Sequence, residues 1–256
     1  MKRIRFMHVP KSAGTSFFDC LSGIYPGEKF VFLGDLRLDL ERYEALDPSQ
    51  KEKLVLFGGH APRFTGQEAV DRVPTITLLR NPIQRVISLL QHISEGKGPF
   101  DKSPPHTLGV DRWLGSGDKQ LSNYLARTVL SDHNYNLPDL GPDSIIEKAL
   151  DQLNNGIECF GFVEHFDESL ILFRRTLGWK QWPVLPRLNE ADRQRPVKIS
   201  DKQMDTIRKL NAIDVEIYER ALRVFRRRLK RKVFLIQTDL LRFRVRQKAR
   251  KYQILK

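Results

Sequence analysis

Cysteine is scarce: Cys20 and Cys159 are the only two, too few for a disulfide framework or a cysteine-held zinc cluster. No apolar run approaches the ~18 residues that a membrane-spanning helix needs. The opening MKRIRFMHV is basic, but its apolar stretch is too short for a secretory leader and meets Pro10-Lys11 at once. The expectation from these absences is a reduced, cytoplasmic chain. Acids are nearly missing from one region. Between Arg220 and Lys256 there are 15 Lys and Arg against the single acid Asp239. The net charge of +13 therefore belongs to the end of the chain, and the body before Arg220 is close to neutral. A nucleic-acid-binding body, the first expectation for a basic protein, has no support in that distribution. The length of 256 residues and a 40% hydrophobic content can bury a sizeable core. We divide the chain into a domain at 1–225 and a basic C-terminal tail at 226–256.

What is present is a repeated strand–loop–helix pattern. Residues 3–9 read as a strand closed by Pro10, and residues 15–24 as a helix on Phe17, Phe18 and Leu21. A second apolar run at 53–57 ends at Gly58-Gly59, and a third at 73–79 ends at Arg80-Asn81-Pro82. Asn81 and Pro82 are N-cap and first-turn residues for a helix carrying Ile83, Val86, Ile87 and Leu90 on one face. Residues 96–109 and 132–142 read as loops, and 119–130, 143–153 and 165–177 as helices. Residues 159–163 read as a short strand, 178–196 as a polar connection, and Ser200 as the cap of a last helical region. The pattern predicts an α/β fold with a mainly parallel sheet, whose ligands sit beyond the carboxyl ends of the strands.

The first strand–helix junction is His8-Val9-Pro10-Lys11-Ser12-Ala13-Gly14-Thr15-Ser16. Backbone N–H groups at such a helix start face a bound anion, Lys11 adds a charge, and three hydroxyls add donors. This is a phosphate loop without the Walker order, since the lysine precedes the glycine. A nucleoside triphosphatase would place a Mg²⁺-holding acid at the neighbouring strand end, and here that end carries Arg80. A cation there favours a second anion site, and so a nucleotide with phosphates at two positions.

Together FMHVPKSAGTSF and LLRNPIQRVISLLQH resemble the 5′-phosphosulfate loop and 3′-phosphate motif of the sulfotransferases that use 3′-phosphoadenosine-5′-phosphosulfate (PAPS). The resemblance is to the carbohydrate branch, typified by heparan sulfate and chondroitin O-sulfotransferases. It continues more weakly in FGGHAPRF, KQLSNYL, GFVEHFDESLILFRRTLGW and RLNEADRQRP. It implies a P-loop-like three-layer fold, a central mainly parallel sheet flanked by helices, PAPS as co-substrate, no metal, and a soluble bacterial-type enzyme. It also implies site roles. Lys11 contacts the transferring sulfuryl group; Ser12, Ala13, Gly14, Thr15 and Ser16 bind the 5′-phosphosulfate; Arg80 and Ser88 bind the 3′-phosphate; Arg193 closes over the nucleotide. His60, after Gly58-Gly59 at a strand end, is the expected general base, with His8 as its rival.

The implied reaction moves a sulfuryl group from PAPS to a hydroxyl of a carbohydrate or glycolipid-linked acceptor. A P-loop-type kinase or NTPase, and a non-enzymatic polyanion- or membrane-binding protein, are the alternative readings. In the tail, clustered cations alternate with apolar residues from Val224 to Val245. Either it is a solvated basic end, or it holds a polyanion, or it lies peripherally on an anionic membrane.

Overall fold

The computed structural model describes residues 3–95, 105–130, 135–185, 197–231 and 233–254. Strand β1 (Ile4–Met7) leads through a tight loop into α1 (Gly14–Ile24). The edge strand β2 (Glu28–Phe32), helices α2 (Leu36–Glu44) and α3 (Pro48–Lys53), and strand β3 (Leu54–Gly59) follow. The short α4 (Glu68–Asp71) precedes β4 (Thr75–Leu79) and α5 (Pro82–Ser94). Helices α6 (Pro105–Leu114), α7 (Tyr124–Leu130) and α8 (Pro142–Asp151) lead to β5 (Cys159–Phe162). Helices α9 (Phe166–Thr176), α10 (Asp201–Leu210), α11 (Ala212–Arg231) and α12 (Val233–Ile254) complete the described chain.

The strands form one sheet in the order β2-β3-β1-β4-β5, and every ladder is parallel. A parallel sheet needs cover on both faces, and the residues of β1 and β4 are all buried. Alternation along β1 sends Phe6 to the α1 side, edge-on to Phe17 at 4.8 Å, while Arg5 points to the opposite face. There Arg5 donates to the carbonyls of Pro62 and Arg63 and pairs with Asp71 at 3.1 Å. Asp71 also accepts from Thr65 N and Oγ1, so the connection after β3 is tied to the sheet from below. The architecture is the expected α/β, P-loop-like one. Registers Met7↔Gly59, Phe32↔Gly59 and Leu79↔Phe162 bring the strand ends to a common edge.

Several local expectations change. The expected strand at 53–57 runs on through Gly58 and Gly59, which act as close-approach residues and not as breakers. A Cβ on Gly58 would sit 2.2 Å from the Phe18 ring, and one on Gly59 (φ +115°) would sit 2.1 Å from Phe32 O. Residues 105–109, expected in a loop, belong to α6, which is interrupted at Gly109 (φ 72°). The expected helix at 119–130 divides into a 3₁₀ turn at Lys119–Leu121 and α7. The expected boundary after residue 225 falls inside α11, where Phe225 is fully buried. Beyond it α12 returns along α9. Its Ile236 and Phe243 enter the main core, and Asp239 lies 2.8 Å from Arg175 and 3.5 Å from Arg174.

Candidate active site

The loop between β1 and α1 is built on two left-handed residues, Lys11 (φ 67°) and Ala13 (φ 56°). Neither is glycine, so each costs about 1 kcal/mol or more, a strain that functional loops retain. Such alternation curls successive backbone N–H groups around a concavity suited to an anion. Helix α1 starts at Gly14 behind Ala13, whose methyl cannot cap, and its first turn carries no acid. The first-turn N–H groups are thus left for an outside acceptor. Ser12 is fully buried, and its hydroxyl has no partner among the described residues. A buried hydroxyl in a ring of N–H donors fits a phosphosulfate.

From the neighbouring strand end, Arg80 Nη1 donates to Lys11 O at 2.7 Å and fixes β4 to the loop. Asn81 caps α5, its Oδ1 accepting from Ile83 N and Gln84 N at 3.1 Å each. Asn81 N in turn donates to Glu164 Oε1 at 2.8 Å, from the end of β5. Ser88 lies half-buried two turns along α5. Arg193 lies outside the described residues.

On the other side of the loop stands His60, whose backbone N donates to Phe32 O at 3.1 Å. Its ring lies 4.5 Å from that of His8, tilted by 31°. The His8 ring rests on Gly14, where a Cβ would come 1.8 Å from His8 Nε2. Burial is the largest influence on both imidazoles. It pushes His8 down to about 3, with His60 and Lys11 adding to the effect. It also holds His60 below the ordinary histidine value, against a hydrogen bond to the His8 backbone and the charge of Asp39. Both rings are neutral at neutral pH, and His8 Nε2 and His60 Nδ1 are buried without a partner among the described residues. A cavity of about 300 Å³ opens here, lined by His8, His60, Gly14, Thr15, Asp19 and Leu33 among others.

The structure therefore brings Lys11, Ser12, Ala13, Gly14, Thr15, Ser16, His60 and Arg80 to one edge, with Ser88 on the helix that leaves it. It adds groups that sequence reasoning missed. Asp39, almost fully buried, accepts from Leu33 N at 2.7 Å and Gly34 N at 3.1 Å, and so shapes the cavity wall. The clue was an acid set among Leu36, Leu38 and Leu40 in the first turn of the helix, four residues after Asp35, which caps it. Glu164 is the second missed group, an acid directly after β5.

The galactose-3-O-sulfotransferase family model matches residues 48–253. Heparan-sulfate 6-O-sulfotransferase 3 of Mus musculus is 26% identical over 180 residues, which are 60% of this chain and 38% of that protein. Heparan-sulfate 6-O-sulfotransferase 1 of Cricetulus griseus is 27% identical over 182 residues, 60% of this chain and 44% of that one. The chain thus spans about two fifths of the length of the curated relatives it matches. A crystal structure of a mouse sulfotransferase complexed with PAP aligns at a TM-score of 0.44 and 17% identity, covering 81% of this chain and 63% of that one. With four fifths of its residues inside the family match, this chain belongs to the galactose-3-O-sulfotransferase family.

Proposed function

We propose that the protein transfers the sulfuryl group of PAPS to a hydroxyl of a carbohydrate acceptor. The observation that carries this reading is the meeting, at one sheet edge, of an uncapped helix start, an arginine-ended strand and a neutral histidine. The family and the relatives' names support a glycan acceptor. PAPS would supply the electrophilic sulfuryl group. Residues 12–16 and Lys11 would hold its 5′ end, and Arg80 and Ser88 its 3′-phosphate. Arg193 would add a contact from its connection. Lys11 would offset charge at the bridging oxygen. His60, neutral at working pH, would take the proton of the acceptor hydroxyl. His8 buttresses His60 and is the poorer base, because its proton affinity is driven far lower.

The reading keeps a reduced, cytoplasmic setting. Cys20 and Cys159 are unpaired and buried, and burial pushes their thiols up to about 12 and about 11, which makes them inert. Among the described residues no helix is long and apolar enough to cross a membrane.

The test is calorimetry with 3′-phosphoadenosine-5′-phosphate (PAP) against ADP, in excess chelator. PAP should bind much more tightly than ADP, and Arg80→Ala should erase most of the difference. Equal affinity for both nucleotides in the unmodified protein rejects the two-phosphate reading.

A further inference from the structure

Helix α12 has two apolar faces. The inner one seats the helix on the domain through Ile236 and Phe243. The outer one meets solvent. Among the described residues, five of the nine strongly exposed large apolar side chains lie on this helix. Phe234 is 77% exposed, Leu241 67% and Val245 58%. Their spacings of seven and four put them on one stripe about 16 Å long. Val233 and Leu235, each about half exposed, widen the stripe at the corner where α11 ends.

The flanks of the stripe are cationic. Arg242 is exposed on one side, where Arg246 also reaches over the Trp182 ring at 5.3 Å, and Lys248 is exposed on the other. Arg226, Arg227 and Lys230 continue the charge along the end of α11, where they line a groove shared with Glu147 and Asp151 of α8. The one acid of the segment, Asp239, is turned inward onto Arg174 and Arg175. Among the described residues α12 itself thus presents no outward acid, and the carboxylates at its edge, Asp167 and Glu168 of α9, are taken up by Arg244 at 3.2 and 3.9 Å.

We infer that this outer face of α12 is a docking surface for an anionic lipid bilayer. The apolar stripe would enter the interfacial region, and the flanking cations would meet lipid phosphates. Two rival occupants fit less well. A sulfated or uronate glycan satisfies the cations but leaves Phe234, Leu241 and Val245 in water. A second copy covers the stripe but brings the like charges of Arg242 and Lys248 together on both flanks. The inference does not rest on the sulfotransfer reading, because no residue of the nucleotide site takes part.

The experiment is co-sedimentation of the full chain with phosphatidylcholine vesicles, with and without phosphatidylglycerol. Phe234→Ser/Leu241→Ser and Arg242→Gln/Lys248→Gln are the variants. The unmodified protein should sediment only with the anionic vesicles, and less at high salt. The serine pair should lose at least ~10-fold in partitioning. The glutamine pair should lose about 25-fold, two surface cations at about fivefold each. Unchanged PAP binding and melting temperature in both variants establish that the fold is intact. Equal binding to neutral and anionic vesicles, or no effect of either variant, overturns the inference. Retention on a heparin column without vesicle binding overturns it in favour of a glycan. A concentration-dependent dimer without vesicle binding, lost in the serine variant, overturns it in favour of self-association.

Discussion

His8 and His60 show how far two residues of one type can be driven apart by position. His60 sits at a strand end on the cavity, while His8 is stacked between Phe6 and Gly14. His60→Ala should lower turnover by about 10²-fold or more and leave PAP affinity nearly unchanged, since a base contributes to the reaction and not to donor binding. The folded His60 binds its proton less well than a free imidazole of 6.5. The acid limb of the kcat/KM profile should therefore fall below pH 6.5, not above it. For His8 the same sign acts on stability. Between 6.5 and about 3 the unfolded chain takes up a proton that the folded one refuses, so stability falls as pH drops through that window. A His8→Ala variant should show a shallower loss of melting temperature over the same range. Gly14 offers a cleaner test of the stack. Gly14→Ala should cost about 1–3 kcal/mol and weaken PAP binding, because the new methyl overlaps the imidazole. In His8→Ala/Gly14→Ala the methyl has room, and the combined cost should fall well short of additive, as measured by a double-mutant cycle.

At the scale of elements, the loop around Leu33 and Gly34 forms one wall of the cavity beside His60. It hangs on Asp39, which also receives Arg42 Nη1 at 2.7 Å. Asp39→Ala should cost about 2 kcal/mol through the lost hydrogen bonds. It should raise the acceptor KM while PAP affinity, measured by calorimetry, stays within about twofold, because the hydrogen bonds of Asp39 run to Leu33 N, Gly34 N and Arg42, not to the Pro10–Ser16 loop. The wall built by β2 and α2 was not legible in the sequence. Glu28–Phe32 is a half-polar edge strand, and α2 opens Leu36-Arg37-Leu38-Asp39-Leu40, an alternation that reads as a strand and masks the helical stripe of Leu36, Leu40 and Tyr43. The two candidate anion junctions were legible because each is local: Pro10 to Ser16 and Arg80 to Ser88 are each one strand–helix junction. The buried Arg5–Asp71 pair was invisible for the opposite reason. It joins residues 66 apart, and an arginine inside a strand reads as a solvent-facing position until the second face of the sheet is known.

For the whole molecule the decisive feature is that the cationic C-terminal segment serves two surfaces at once. Composition alone assigned it to solvent, to a polyanion or to a membrane, since all three need only exposed charge. The structure adds that one side of α12 is part of the core: Phe243 is 1% exposed and Ile236 3%. Arg174 and Trp182 stack at 4.2 Å beneath the same helix, and Arg246 covers the other approach to that ring at 5.3 Å. Ending the chain after Arg231 should therefore do more than remove charge. It uncovers α9, leaves Arg174 and Arg175 without Asp239, and exposes apolar surface that α12 had covered. Phe243→Ala alone should cost about 3–4 kcal/mol, the usual range for emptying a buried phenylalanine site. The truncated chain should melt several degrees lower still and aggregate on heating, although each nucleotide residue assigned above precedes Arg231. Phe234→Ser, seven residues from Leu241 on the outer stripe, should leave the melting temperature within about a degree, since surface changes usually stay within ~0.5 kcal/mol. Differential scanning calorimetry of the three proteins separates the two faces. A truncated chain as stable as the full one would mean that α12 is an appendage and that its inner contacts contribute nothing to folding.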